Sequence, residues 1–186
     1  MKRRSCDGCG RPEKVCLCSH LKHCELPFEL IIWQDPDEAK HPLSTAPLLD
    51  KSIANCRLIV GDQFLPEELL GEKDFSDVAL LYPLEGATPL PMSEARSSVS
   101  RVLVLDGTWR KVRRLLLLNP WLKTLPCLSL TPDSESRYLR QSQVEQGVST
   151  LEAVYLLADE WQPESGYLEG IAVLDRMAEL QDSFRR

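Results

Sequence analysis

An α/β fold with a mostly parallel sheet and flanking helices is what this 186-residue sequence predicts. Three observations carry the prediction. Short apolar runs bounded by turn residues recur along the chain, and they are continuous rather than alternating, as in strands buried on both faces. Helical stretches separate several of these runs, the pattern of parallel strand–helix–strand units. The composition is globular, with 43% hydrophobic and 27% charged residues, which excludes wholesale disorder. The length suits one domain with a small appendage.

In chain order, residues 1–25 come first as a separate module, rich in Cys, Gly, Lys and Arg. It lacks apolar periodicity, so thiol ligation rather than a core is expected to hold it. Residues 26–186 form the main domain, with strands expected at 28–33, 57–60, 78–82, 101–105 and, more weakly, 126–130. Helices are expected at 47–55, 66–70, 108–118, 150–161 and 167–184. The Pro- and Ser-rich stretch 86–100 reads as a loop with one helical turn. No apolar run approaches the roughly 20 residues that span a bilayer. No apolar segment follows the initial MKRRS, so no secretory signal is predicted and the chain is expected to be cytoplasmic.

The net charge of −6 argues at first against a nucleic-acid partner. Its distribution does not. Residues 1–23 carry six basic and two acidic side chains, and residues 101–123 carry six and one. Residues 24–100 carry five and fourteen. Two basic islands stand in an acidic chain, and a partner meets the local field rather than the sum.

The first island holds most of the thiols. Cys6-x2-Cys9-x6-Cys16-x-Cys18 sets four within 13 residues, with Cys24 nearby and only Cys56 and Cys127 elsewhere. Two short Cys pairs joined by a turn supply the four-sulfur tetrahedron that zinc requires. Gly8 and Gly10 permit the tight turn between them. A Cys-x-x-Cys pair also serves redox chemistry, but such motifs open a helix after a strand, and neither is visible here. Structural zinc on Cys6, Cys9, Cys16 and Cys18 is therefore expected, with Cys24, His20 and His23 as substitute ligands. The module would present Lys2, Arg3, Arg4, Arg11 and Lys14.

The second island, RVLVLDGTWRKVRRLLLL at 101–118, runs from a buried strand into a helix. Ligands of open α/β sheets bind outside the carboxyl ends of strands, where Asp106-Gly107-Thr108-Trp109 lies. Asp106 or Thr108 is either a helix N-cap or, at a strand end, a catalytic group. At 100° per residue Arg110, Arg113 and Arg114 share a face with Lys111 beside it, while Val112, Leu115 and Leu116 lie opposite. Four cations in five residues beside a strand-end acid suit a phosphate-bearing substrate, RNA foremost. Leu117 and Leu118 break the pattern, so the helix is expected to end or be covered there, before Asn119-Pro120. LVLDGT is similar to a phosphatase motif, but Val104 stands where that motif needs its first Asp, so this reading fails. Further on, Tyr138 and Arg140 precede a loop and then Ser149-Thr150-Leu151-Glu152, whose S-x-x-E spacing is a capping box. Such a helix start also offers backbone N–H groups to a ligand.

Taken together, these segments resemble the DTW-domain family of tRNA-uridine aminocarboxypropyltransferases. The residues that match are the four-Cys set, the stretch 42–55 leading into Leu58-Ile59-Val60-Gly61, and Leu80-Leu81-Tyr82-Pro83. They continue with Asp106-Gly107-Thr108-Trp109, then Tyr138-x-Arg140 followed by Ser149-Thr150-Leu151-Glu152-Ala153. The order is kept over nearly the whole chain. The resemblance implies a SPOUT-like domain whose trefoil knot binds S-adenosylmethionine (SAM), with Leu81, Tyr82, Pro83, Leu105, Gly107, Val148, Ser149, Thr150 and Glu152 around the cofactor. It implies transfer of the 3-amino-3-carboxypropyl group to N3 of a tRNA variable-loop uridine, releasing methylthioadenosine. Asp106, Thr108 and Trp109 are then the catalytic candidates, Trp109 either stacking on a ring or packing inward. Arg110, Lys111, Arg113, Arg114 and Arg140 are candidate RNA contacts, chosen by charge. Family members often carry a longer basic N-terminal region or tail, and none is seen in these residues. Binding would therefore rest on the zinc module and the 110–114 face. A SPOUT-type methyltransferase and an aminocarboxypropyltransferase of ribosomal RNA are the nearest alternatives; a non-catalytic zinc-ribbon RNA-binding protein is another. The expected assembly is a monomer or a homodimer, with no other protein partner and no membrane.

Overall fold

The computed structural model describes residues 4–71, 74–130 and 148–185. Five strands, β1 (Glu29–Gln34), β2 (Cys56–Val60), β3 (Val78–Leu81), β4 (Arg101–Asp106) and β5 (Cys127–Leu128), form one sheet in the order β2-β1-β4-β3-β5. Every neighbouring pair is parallel. β4 is the central strand, and its first five residues are apolar apart from Arg101 because both of its faces are covered.

Side-chain parity assigns the two faces. From β1 and β4, Leu30, Ile32, Val102 and Val104 point into one apolar cluster; Ile31, Trp33, Leu103 and Leu105 point into the other. The first cluster is covered by α2 (Ala46–Ser52), α4 (Met92–Ser98), α6 (Thr150–Trp161) and α7 (Val173–Arg185). The second is covered by α3 (Pro66–Leu70) and α5 (Trp109–Leu118). A one-turn helix, α1 (Pro36–Ala39), follows β1 at its carboxyl end. The result is a three-layer α/β/α arrangement in which odd and even strand positions see different helices.

Several boundaries differ from expectation. The 86–100 stretch contains α4, a seven-residue helix rather than one turn. α1 is a further helix, stabilised by the Asp35 side chain, which accepts from the N–H groups of Asp37 and Glu38. The last helix opens as a 3-10 segment, Tyr167–Ala172, before α7. The strand expected at 126–130 shortens to two residues. α5 runs through Leu118 without being covered there: Leu117 is 73% exposed and Leu118 38%. Among the described residues no helix is long and apolar enough to cross a membrane.

The N-terminal segment leans on this core. Leu17 is fully buried in the α2/α6 cluster, and the Cys24 backbone exchanges hydrogen bonds with Ser52 and Ala54 of 3.0 and 2.9 Å. The Arg11 guanidinium donates to the Ser44 carbonyl at 3.2 Å. Core contacts thus hold this segment, where the sequence suggested thiols alone.

Candidate active site

The site grows from the carboxyl end of β4. By parity Asp106 points to the same face as Val102 and Val104, toward α6, and is only 5% exposed. Its register partner on β1 is Gln34, which is 1% exposed. The Gln34 amide donates to Asp106 Oδ2 at 2.7 Å and to Ser44 Oγ at 2.7 Å. Thr150, first residue of α6, donates its hydroxyl to Asp106 Oδ1 at 2.5 Å. A carboxylate this deep costs several kcal/mol unless donors meet it. Each donor to a charged acceptor contributes about 1.5–3 kcal/mol, so the Gln34 and Thr150 bonds offset much of that cost. Asp106 therefore does not cap α5. Thr108 stands at that N-cap, exposed, and its side chain makes no cap bond.

A cleft of about 160 Å³ opens beside this junction. Its wall includes Leu81, Tyr82, Pro83, Leu105, Gly107, Val148 and Thr150, seven of the nine residues expected around a cofactor. Val104, Val112, Leu128 and Leu130 complete a mostly apolar lining, which suits a flat heteroaromatic ring. Trp109 lines the cleft too, its ring centroid 5.7 Å from that of Tyr82 at a 50° tilt, so it sits at the cleft rather than in the core. The other two expected residues, Ser149 and Glu152, form the α6 capping box: Ser149 N–H donates to Glu152 Oε2 at 2.8 Å, and Glu152 N–H to Ser149 Oγ at 3.2 Å.

The basic face of α5 divides. Lys111 donates to Glu38 Oε2 at 3.0 Å, and Arg114 pairs with Asp35 at 3.1 Å and with Asp62. Asp35 and Glu38 are buried, so Lys111 is tied inward, whereas Arg114 stays exposed and bridges buried Asp35 to surface Asp62. Arg110 and Arg113 are exposed and carry no ion pair among the described residues. Tyr138 and Arg140 lie outside the described residues, as do Lys2 and Arg3.

At the N-terminus, Cys6, Cys9, Cys16 and Cys18 bring their sulfurs within 4.8 Å of one another, and none is in a disulfide. Four sulfurs about 2.3 Å from one zinc ion would lie about 3.8 Å apart. The observed Cys6–Cys16, Cys6–Cys18 and Cys9–Cys16 separations are 3.4, 3.6 and 3.8 Å. Gly8 is required here, because a Cβ would fall 2.8 Å from Cys18 Sγ. Gly10 supplies the positive φ of 71° that turns the chain. Backbone N–H of Cys9, then the Cys16 sulfur, holds the Cys6 thiol down at about 7. Burial, then the three neighbouring thiols, pushes Cys18 up to about 12. A divalent cation compensates that crowding of negative charge, so the donor set fits zinc. His20 and His23 are exposed and lie outside this sulfur group.

Gln34, Ser44, Asp35 and Glu38 were not read as site residues from the sequence. A polar residue closing the apolar run Leu30-Ile31-Ile32-Trp33 is the signal that points to Gln34.

Residues 3–185 match the DTW domain. The tRNA-uridine aminocarboxypropyltransferase 2 of Mus musculus is 31% identical over 161 residues, covering 81% of this chain and 54% of that protein. Its Drosophila melanogaster counterpart is 29% identical over 160 residues, covering 81% and 64%. The tRNA-uridine aminocarboxypropyltransferase A of Arabidopsis thaliana is 30% identical over 134 residues, covering 62% and 51%. The chain thus spans between about half and two thirds of the length of these relatives. No solved structure matches.

Proposed function

The chain belongs to the DTW-domain family, and from that membership we propose that it is a SAM-dependent transferase placing a 3-amino-3-carboxypropyl group on N3 of a tRNA uridine. The observation that supports this reading most is the 2.5 Å bond between Thr150 and Asp106. It joins the Asp-Gly-Thr-Trp turn to the start of α6 beside one apolar cleft.

Bound SAM supplies an electrophilic carbon beside its sulfonium and a neutral thioether leaving group. The chain's residues do the rest. The walls from Leu81, Leu105, Leu128 and Leu130 would hold an adenine-type ring away from water, with the Tyr82–Trp109 pair available to flank it. Asp106 removes the weakly acidic N3 proton so that the nitrogen lone pair can attack. No general acid is needed. Alignment of nitrogen, carbon and sulfur supplies much of the remaining rate, which a rigid strand end and a capped helix favour. We assign structural zinc to Cys6, Cys9, Cys16 and Cys18, in a module at 1–25 that adjoins the catalytic domain at 26–186. The SPOUT-like knotted arrangement is part of the same proposal, supported by the all-parallel sheet and by a cleft at strand carboxyl ends.

The deciding assay is incubation with unmodified tRNA and SAM, followed by mass spectrometry of the nucleosides. Aminocarboxypropyl-uridine with release of methylthioadenosine is expected. Methylated nucleoside, or none, rejects the reading.

Phosphate contact by α5 has its own signature. Each cation that meets a phosphate adds roughly 0.7–0.9 to the slope of log affinity against log salt. Arg110→Ala and Arg113→Ala are each expected to reduce that slope by about one such increment. Lys111→Met is expected to leave it unchanged and to lower stability instead. Losing one partner of a buried pair costs about 3–5 kcal/mol, and the part-exposure of Lys111 places this pair toward the lower figure. Filter-binding titrations across a salt series separate the two groups.

A further inference from the structure

We propose that the Thr150 hydroxyl is the group that meets the uridine N3–H, with Asp106 receiving the proton through it; this deepens the transferase reading above and rests on it. Asp106 is buried on the α6 side of the sheet, and the cleft is walled by its neighbours Leu105 and Gly107 rather than by Asp106 itself. Thr150 is in that wall and is hydrogen-bonded to Asp106 at 2.5 Å. Thr150 thus links the cleft wall to the carboxylate.

The direction of the bonds is fixed by donor capacity. Gln34 has two amide hydrogens on Nε2 and points them at Asp106 Oδ2 and Ser44 Oγ. Were the amide reversed, its oxygen would face a carboxylate oxygen at 2.7 Å, so Nε2 stays toward Asp106. A hydroxyl has one hydrogen, and Thr150 gives it to Oδ1. Toward the cleft it can then only accept. It suits a ring nitrogen bearing hydrogen, as in the imide of uracil, and rejects cytosine, whose N3 offers a lone pair instead. The same couple thus selects the base and removes its proton.

The step balances. The N3 hydrogen moves to Thr150 Oγ1 as the Thr150 hydrogen moves to Asp106 Oδ1. The N3 electron pair forms the new nitrogen–carbon bond, and the carbon–sulfur pair returns to sulfur, cancelling its positive charge. Asp106 ends neutral and gives its proton back through the hydroxyl to solvent once the products have left.

The test compares Thr150→Val, which keeps shape without the O–H, with Thr150→Ser, which keeps the O–H. Turnover on tRNA is read by nucleoside mass spectrometry, and SAM affinity by calorimetry. Thr150→Val is expected to lose about a hundredfold in kcat, with SAM affinity within about twofold of wild type. Thr150→Ser is expected to recover at least about tenfold over Thr150→Val. A Thr150→Val enzyme that keeps its kcat overturns the relay. So does one whose SAM affinity falls in step with kcat, since Thr150 would then be a cofactor contact. If the wild-type chain forms no aminocarboxypropyl-uridine while binding SAM and tRNA, the transferase reading falls and carries the relay with it.

Discussion

Asp106→Asn is expected to lower kcat by about two to four orders of magnitude, the range a positioned base contributes. Folding should survive the change, because Asn has the same shape and can satisfy both Gln34 and Thr150. Its Oδ1 can accept from Gln34, and its Nδ2 can donate to Thr150 Oγ1. That arrangement reverses the direction of the 2.5 Å bond and leaves no acceptor for the incoming proton. Melting temperature and SAM affinity are therefore expected to stay near wild type while single-turnover transfer collapses. An RNA-binding module without chemistry would show no such split. Retained transfer in Asp106→Asn would remove Asp106 from the reaction and leave it as a buried tie between β4 and α6.

The architecture was legible where burial writes itself into composition. A parallel sheet covered on both sides requires unbroken apolar runs, so β1, β2, β3 and β4 each begin within one residue of expectation. The amphipathic α6 and its capping box gave both of its ends. α4 left little trace because Ala95 is its one buried residue, too few to set a period. α1 is a single turn held by one side chain, Asp35, and no periodicity exists over four residues.

Site residues divided along another line. Those next to each other in sequence, such as Asp106, Gly107 and Trp109, could be read from one segment. Gln34 could not, because its importance comes from register: it sits opposite Asp106 across a pair of strands 72 positions apart. The cations on α5 divide for the same reason. A window of sequence counts Lys111 and Arg114 as free charge, whereas Asp35, Glu38 and Asp62, which engage them, lie 52 to 79 residues away. Arg110 and Arg113 face solvent, with no ion pair among the described residues.

Loss of the proposed zinc is expected to reach the active site as well as the knuckle. Zinc ligation in small thiol modules supplies on the order of 10 kcal/mol, far more than the contacts of residues 4–24 can replace. Cys16→Ser, or treatment with a strong chelator, should therefore release about one equivalent of zinc, as measured by metal analysis, and lower the melting temperature. Leu17 would leave the α2/α6 cluster, at a cost of about 2 kcal/mol for one large apolar side chain. The catalytic effect follows a separate path. Arg11 belongs to the knuckle and donates to the Ser44 carbonyl, and Ser44 Oγ accepts from the amide that holds Asp106. When the knuckle unfolds, that support loosens, and kcat should fall by more than the unfolded fraction explains. Arg11→Met isolates the link: zinc content stays at one equivalent, the melting temperature changes little, and kcat falls by a few-fold. Unchanged metal content in Cys16→Ser would remove zinc from the cluster. An unchanged kcat in Arg11→Met would confine the knuckle to folding and RNA contact, with no hold on the carboxylate that takes the proton.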